Sequence, residues 1–426
     1  MTANEALALD ILAEMAVLSR DGRGITREAY GEGEERAMQA LEARVERLGM
    51  IHERDRFQNL WIRLPNDPRS EPPVVIGSHL DSVPQGGNYD GLAGVLAGLL
   101  VLEALVEQPD MAPPLRVLAM RGEESAFYGK AYIGSSALLG RLPASALALS
   151  HRSGRGTLGE AMARSGVDVD AVSRGEALLA PGDIAAYLEL HIEQGPVMVA
   201  RGWSSAVVTG IRGNIRHHHI KCCGEAGHSG AVPRWLRKDA VLAVAELLSR
   251  MDEHWRVLLQ MGFDLVMTAG ICTTPACSHA VSVIPGEVAF SFEMRSQEKS
   301  TLDRFYQLFR DECRHVATSR DVAFEFDDAI ASPVATLDEG WIERFEAAGL
   351  ERGTALERLP SGAGHDAVVF ADAGIPAAMI FVRNANGSHN PHEAMDSVDL
   401  MDGVDLLLRA LRRPPTPRSQ QESHHP

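Results

Sequence analysis

The chain has no uninterrupted apolar stretch of the length needed to cross a bilayer, although 45% of its 426 residues are hydrophobic. It is poor in cysteine. Five cysteines, an odd number without framework spacing, argue against a disulfide-stapled secreted domain and suit a reducing compartment. Positive charge is also short: 41 Lys and Arg stand against 58 Asp and Glu, a net charge of −17. Nucleic acid or an anionic membrane would be repelled, and an anionic substrate would have to be captured by local arginines. Glu5, Asp10 and Glu14 interrupt the apolar residues of the 7–18 segment, whose spacing predicts an amphipathic helix rather than a targeting signal. The expectation is a soluble, cytoplasmic protein.

What the chain does have is an unusual set of polar residues at the ends of apolar runs. Pro73-Val74-Val75-Ile76 reads as a buried strand ending in Gly77-Ser78-His79-Leu80-Asp81, and Leu115 to Met120 reads as another ending at Glu123-Glu124. Tyr187 to His191 is a third, and Gly387-Ser388-His389 follows a fourth, Ala377 to Val382. Strand ends that bring imidazole and carboxylate to one rim make a site for divalent metals. The candidate ligands are His79, Asp90, Glu124, His191 and His389. Three histidines and two carboxylates hold two metals when one carboxylate bridges them at roughly 3.5–4 Å separation.

Asp90 is the bridging candidate, because it precedes the helical run Leu92 to Leu105 and could be fixed at that helix N-terminus. Asp81 would hold the His79 ring in its coordinating tautomer. Glu123 is left over beside a ligand, where a general base for an activated water is needed. The run His217-His218-His219 is tempting, but strand alternation predicts His217 and His219 on one face and His218 on the other. The same alternation makes Cys222-Cys223 a packing pair. Cys272, Cys277 and His279 lack a fourth ligand to close a cluster.

Two domains suit the length. Residues 1–211 alternate helical and strand patterns, which predicts an α/β layer with a mostly parallel central sheet. Helix Gly91 to Leu105 carries Gly94 and Gly98 four apart, a spacing that lets it approach the sheet. Between 212 and 330 the order changes to a small α+β sandwich. Its predicted elements are strand 215–223, helix 237–251, strands 265–271 and 287–295, helix 301–318 and strand 322–326. Residues 331–413 return to the α/β pattern, so an inserted domain separates two parts of the catalytic one. The Pro/Ser/Gln/His-rich tail, 414–426, reads as disordered.

These motifs resemble the hydantoinase/carbamoylase family of amidases. That family includes N-carbamoyl-L-amino acid hydrolases, allantoate and ureidoglycolate amidohydrolases and beta-ureidopropionases, within the clan of co-catalytic zinc aminopeptidases and carboxypeptidases. The matching segments run nearly end to end, from Gly24-Ile25-Thr26-Arg27 to Gly387-Ser388-His389. His-Ile-Glu-Gln-Gly-Pro (191–196) and Gly-Ala-Gly-His-Asp-Ala (362–367) belong to the family rather than the clan. The resemblance implies two divalent ions per subunit, zinc first with manganese, cobalt or nickel as alternatives. It implies Glu123 as acid/base, and the inserted domain as a lid that also forms a homodimer. It further implies His228 as oxyanion donor, Arg295 as anchor of a substrate carboxylate, and Gln194 and His365 on the substrate side.

The chain departs from the family where specificity is set. The family's asparagine partner of the arginine is replaced by Ser282, whose shorter hydroxyl would weaken carboxylate binding by roughly 1 kcal/mol or more. Ala231-Val232-Pro233-Arg234 stands where the family has Thr-Thr-Pro-Met after its histidine motif. Arg212, Arg216 or Arg234 could compensate. The leading expectation is a metal-dependent amidohydrolase cleaving an N-carbamoyl or ureido group on a small carboxylate, which would release ammonia. Hydrolysis of an N-acyl amino acid or dipeptide is the second reading, favoured slightly by His228-Ser229-Gly230. A catalytically silent binding protein is the third, and the intact ligand set counts against it.

Overall fold

The computed structural model describes residues 3–413 except Asn66 and Pro68, so the predicted disordered tail at 414–426 lies outside the described residues. The described residues form two compact units, one from the segments up to 209 and from 336 on, the other 210–335.

The first unit is built on a mixed sheet whose four central strands are parallel, in the order 377–382, 186–192, 74–79, 115–120. Antiparallel strands flank them, Ser205–Ile211 on one side and Leu60–Arg63 with Ile51–Arg54 on the other. The central strands Val74–His79, Ala186–Ile192 and Ala377–Val382 are buried at every position. That is why they read as continuous apolar runs: both faces of a parallel sheet are covered. Helix Leu92–Ala104 is buried along most of its length. A Cβ added at Gly94 would lie 2.2 Å from the Leu190 carbonyl oxygen, and one at Gly98 2.9 Å from Val117. The two glycines are therefore what let this helix lie against the sheet.

The second unit is a six-stranded antiparallel sheet centred on Gly213–Cys223 and Glu287–Ser296. Strand Glu287–Ser296 alternates without a break, with Val288, Phe290, Phe292 and Met294 buried on one face. Helices Ala240–Gln260 and Lys299–Arg320 supply Leu247, Met251, Phe305 and Phe309 to the same core.

Three expectations change here. The helix predicted over 237–251 starts at Ala240, because the Asp239 side chain caps it at Leu242 N. It also runs on to Gln260, because Trp255 and Leu258 continue its apolar stripe. The strand predicted over 265–271 shrinks to Val266–Thr268 with a separate Cys272–Thr273 piece.

The third change concerns the histidine run. Phe290 pairs with Ile220 but Phe292 pairs with His217, so Ser291 faces both His218 and His219. This extra residue is a β-bulge, and it breaks the expected alternation. His217 is buried against Asp327 (2.8 Å) and Tyr306 (3.0 Å), while His218 and His219 are both exposed. Among the described residues, no helix is long and apolar enough to cross a membrane.

Candidate metal centre

The four parallel strands end at one edge of the first unit's sheet, and the polar residues after them meet there. His79 is the last residue of its strand, and His191 the penultimate residue of its own. Asp90 sits just before helix Leu92–Ala104. It does not cap that helix as expected: the N-cap is Gly91, at φ +71°. Any Cβ at Gly91 would fall 2.5 Å from the His79 ring, so only glycine lets the chain pass there.

Asp90 instead faces both halves of the cluster. Its Oδ1 lies 3.4 Å from His79 Nε2 and 3.2 Å from His191 Nε2, and its Oδ2 lies 3.5 Å from His389 Nε2. His389 Nε2 is also 3.1 Å from Glu124 Oε1. His79 Nδ1 lies 3.1 Å from the Asp81 carbonyl, and His191 Nδ1 3.0 Å from the Ile192 carbonyl. Those carbonyls only accept, so each Nδ1 carries a proton, and in the neutral ring each Nε2 turns its lone pair toward Asp90.

Lone pair then faces carboxylate, and Asp90 Oδ1 and His191 Nε2 are both buried without a hydrogen-bond partner. Buried acceptors facing one another are costly unless a cation lies between them. The donor set of three imidazoles and two carboxylates therefore fits a pair of divalent ions. Charge points the same way. Burial disfavours a charged His79, but the carboxylates of Asp81, Asp90 and Glu123 outweigh it and raise the ring's affinity for positive charge. The Glu124 carboxylate lifts His389 to about 9.

His389 adopts φ +61°, a region that costs a non-glycine residue about 1–3 kcal/mol and tends to mark functional positions. A further group, Glu189–His191–His365, is close enough to hold a cation, but its atoms are otherwise engaged. Glu189 accepts from Ser78 Oγ (2.9 Å) and Ala367 N (3.0 Å), and His365 Nε2 meets Ser361 Oγ at 2.8 Å.

Glu123 Oε2 lies 3.9 Å from His79 Nε2. Burial pushes its carboxyl well above the usual carboxylate range, against the pull of His79 and with repulsion from Glu124 and Asp366. Asp81 meets the His79 ring twice, its main-chain carbonyl 3.1 Å and its Oδ1 3.4 Å from Nδ1. Its two carboxylate oxygens accept the N–H groups of Glu123 and Glu124, each at 2.9 Å. Gln194 reaches the cluster, its Nε2 donating to Asp90 Oδ2 at 2.8 Å. His365 stacks edge-on against His191, ring centroids 4.4 Å apart.

Sequence reasoning missed Glu393, which accepts from Tyr89 N (2.8 Å), Asp90 N (3.2 Å) and Ser388 Oγ (2.6 Å). Ser388 Oγ also lies against Asp90 Oδ2, so its single O–H is shared between the two carboxylates. Glu393 thus ties the Asp90 turn to the His389 turn. Its only sequence signal is its place four residues after His389.

The other expected site residues belong to the second unit. His228 is exposed on a short strand paired with Val283–Ile284, and Gly230 N donates to its Nδ1 at 3.1 Å. Ser282 is exposed, and its carbonyl accepts from Ser229 N at 2.9 Å. Arg234 is exposed at the start of a 3-10 turn. Arg295 is half-buried and donates to Glu293 at 2.9 Å; Arg216 meets the same carboxylate at 3.2 Å. Arg212 is no longer a candidate for carboxylate capture, because Asp264 holds it through three contacts of 2.5–3.0 Å.

The sequence pattern of peptidase family M20/M25/M40 matches residues 75–413. The chain belongs to that family. It is 32% identical to an N-carbamoyl-L-amino acid amidohydrolase of Geobacillus stearothermophilus, over 91% of this chain and 93% of that one. It is 30% identical to the allantoate amidohydrolase of Escherichia coli, over 91% and 92%. Among solved structures it resembles a hydantoinase/carbamoylase family amidase from Burkholderia ambifaria. That match has a TM-score of 0.84 at 31% identity and covers 97% of this chain and 98% of that one. Like these family members, the chain is a hydrolase of carbon–nitrogen bonds other than peptide bonds.

Proposed function

We propose that this amidohydrolase is metal-dependent and removes an N-carbamoyl or ureido group from a small carboxylate. The observation that carries the metal half of this reading is the meeting of buried Asp90 with the Nε2 atoms of buried His79 and His191 and of exposed His389, which also lies against Glu124. The names of the Geobacillus and Escherichia relatives support the substrate half.

Divalent ions held by His79, Asp90, Glu124, His191 and His389 would supply Lewis-acid polarisation of the substrate carbonyl and of a water. Glu123 takes the proton of the attacking water onto its carboxylate and returns it to the leaving nitrogen. Asp81 keeps Glu123 aimed by holding its main-chain N–H, and it holds His79 by its carbonyl. Gln194 steadies Asp90. His228 is the proposed donor to the developing oxyanion and Arg295 the proposed anchor for the carboxylate, with His365, Ser282 and Arg234 shaping selectivity. The inserted unit is proposed as the homodimer-forming one.

The test is a screen for ammonia release from ureido acids after reconstitution with zinc, manganese, cobalt or nickel. Metal-dependent ammonia release is expected. Release of a free acid plus an amino acid from N-acyl substrates, without ammonia from any ureido acid, would overturn the substrate class. Full ammonia release after exhaustive chelation would overturn the metal dependence.

A further inference from the structure

The short segment carrying the Glu-Glu pair is held in an unusual way. Its four successive N–H groups, from Arg121 to Glu124, all donate to side chains from elsewhere in the chain. Arg121 N reaches Asn59 Oδ1 at 3.3 Å, Gly122 N reaches Glu34 Oε1 at 2.9 Å, and Glu123 N and Glu124 N reach the Asp81 carboxylate. Its carbonyls are taken as well: Tyr132, Ile133 and Gly134 donate to those of Glu123, Gly122 and Arg121. Gly122 has φ +63°, which turns its N–H toward Glu34 and away from any continuation of the strand.

Glu34 lies in the first turn of helix Glu32–Arg47 and is fully buried. Its Oε2 accepts from Tyr30 N at 2.7 Å and from Arg121 Nε at 2.6 Å. The bond back to Tyr30 N, one residue before the N-cap Gly31, anchors the start of the helix and alone would explain an acid there. The bonds to Arg121 and Gly122 do not belong to a cap. They join the helix to the residue just before Glu123, across 88 positions of sequence. Arg121 is equally buried. Its Nη1 reaches Glu35 at 3.0 Å, its guanidinium lies 4.9 Å from the Tyr30 ring centroid, and its Nη2 has no partner. A buried guanidinium compensated mainly by one carboxylate fixes the position of both.

We infer that Glu34 is a positioning residue for Glu123: through Gly122 N–H and Arg121 it sets the direction in which the Glu123 carboxylate points. The inference rests on the reading of Glu123 as the acid/base. Glu34 touches neither the candidate ligands nor Glu123 itself, so it acts only through the main chain of the turn. A glutamine at 34 keeps the size but has a single acceptor oxygen. If that oxygen keeps Tyr30 and Arg121, its amide N–H₂ opposes the N–H of Gly122 and rotates that peptide. An aspartate keeps both oxygens and the charge but is one methylene shorter.

The experiment compares Glu34→Gln, Glu34→Asp and Glu123→Gln in the full chain, each assayed for metal content, kcat, KM and amide exchange. Glu34→Gln should keep its metal and its KM to within about twofold while kcat falls about tenfold or more, since a small misaim of a reacting group is costly. Amides of Gly122 to Glu124 should exchange faster in that variant. Glu34→Asp preserves the neutralisation of Arg121, so it should fold where glutamine does not, with kcat between the two. Unchanged kcat in the folded Glu34 variants, or unchanged exchange at Gly122, overturns the inference. It does so alone if Glu123→Gln is inactive. Wild-type turnover in Glu123→Gln overturns the reading of Glu123 and the inference with it.

Discussion

The two units treat their polar residues in opposite ways. In the first, His79, Asp90, Glu123, Glu124 and His191 are buried at the ends of strands that are themselves buried on both faces. Their hydrogen bonds aim them at one another, and the surrounding sheet leaves no other arrangement. In the second, His228, Arg234 and Ser282 are exposed on a two-residue strand, a 3-10 turn and a loop, and Arg295 is paired with its neighbour Glu293. A rigid frame suits groups whose mutual distances the chemistry fixes. Exposed positions suit groups that vary with the substrate, because replacing them disturbs no core. The departures expected from the family resemblance, Ser282 and 231–234, fall in the second region.

If this contrast holds, substitutions of the buried candidate ligands and of Glu123 should change metal content or kcat, and those of Arg295 and Ser282 should change KM or substrate preference. The largest effect is expected from His389→Ala, which removes the contact to both Asp90 and Glu124. Turnover should be lost and tightly held metal should fall to at most one ion per chain by elemental analysis; two retained ions would reassign the ligand set. Glu123→Gln comes next. It cannot accept the water's proton, so kcat should drop by at least about 10²-fold with normal metal content. Arg295→Lys keeps the charge but loses the planar fork, and should raise KM by about tenfold with metal content unchanged. A loss of metal in that variant would break the contrast between the units. The smallest effect is expected from Ser282→Asn, a shift of about 1 kcal/mol toward ordinary N-carbamoyl amino acids in kcat/KM comparisons.

Much of the first unit was legible in the sequence, because strands such as 115–120 and 377–382 are apolar runs with abrupt polar ends. The convergence of His79, Asp90, Glu124, His191 and His389 followed from those ends. What stayed hidden was long-range hydrogen bonding. Nothing local to Glu393 says that it accepts from Tyr89, and nothing local to Glu34 says that it holds Gly122. The contact of the Asp81 carbonyl with His79 was hidden too, because a side chain is visible in a sequence and a main-chain direction is not. The bulge at His218-His219 was hidden for a similar reason: it depends on Ser291, in a strand some seventy residues away. Helix 240–260 outruns its expected end at Met251 because the apolar stripe resumes at Trp255, beyond the charged Asp252 and Glu253.

The order of the first sheet also bears on how the chain folds. Strand 377–382 lies between 186–192 and 205–211, and Ala377 pairs with Tyr187, 190 residues earlier. As the ribosome extends the chain, strands 74–79, 115–120 and 186–192 can associate early. The place beside 186–192 stays open until nearly everything else has been made. Contacts this distant in sequence form slowly, and the open strand edges invite pairing with another chain in the interval. His389 arrives only after that last strand. A nascent chain therefore carries four of the five candidate ligands but not the fifth, and the cluster is complete only once the sheet has closed.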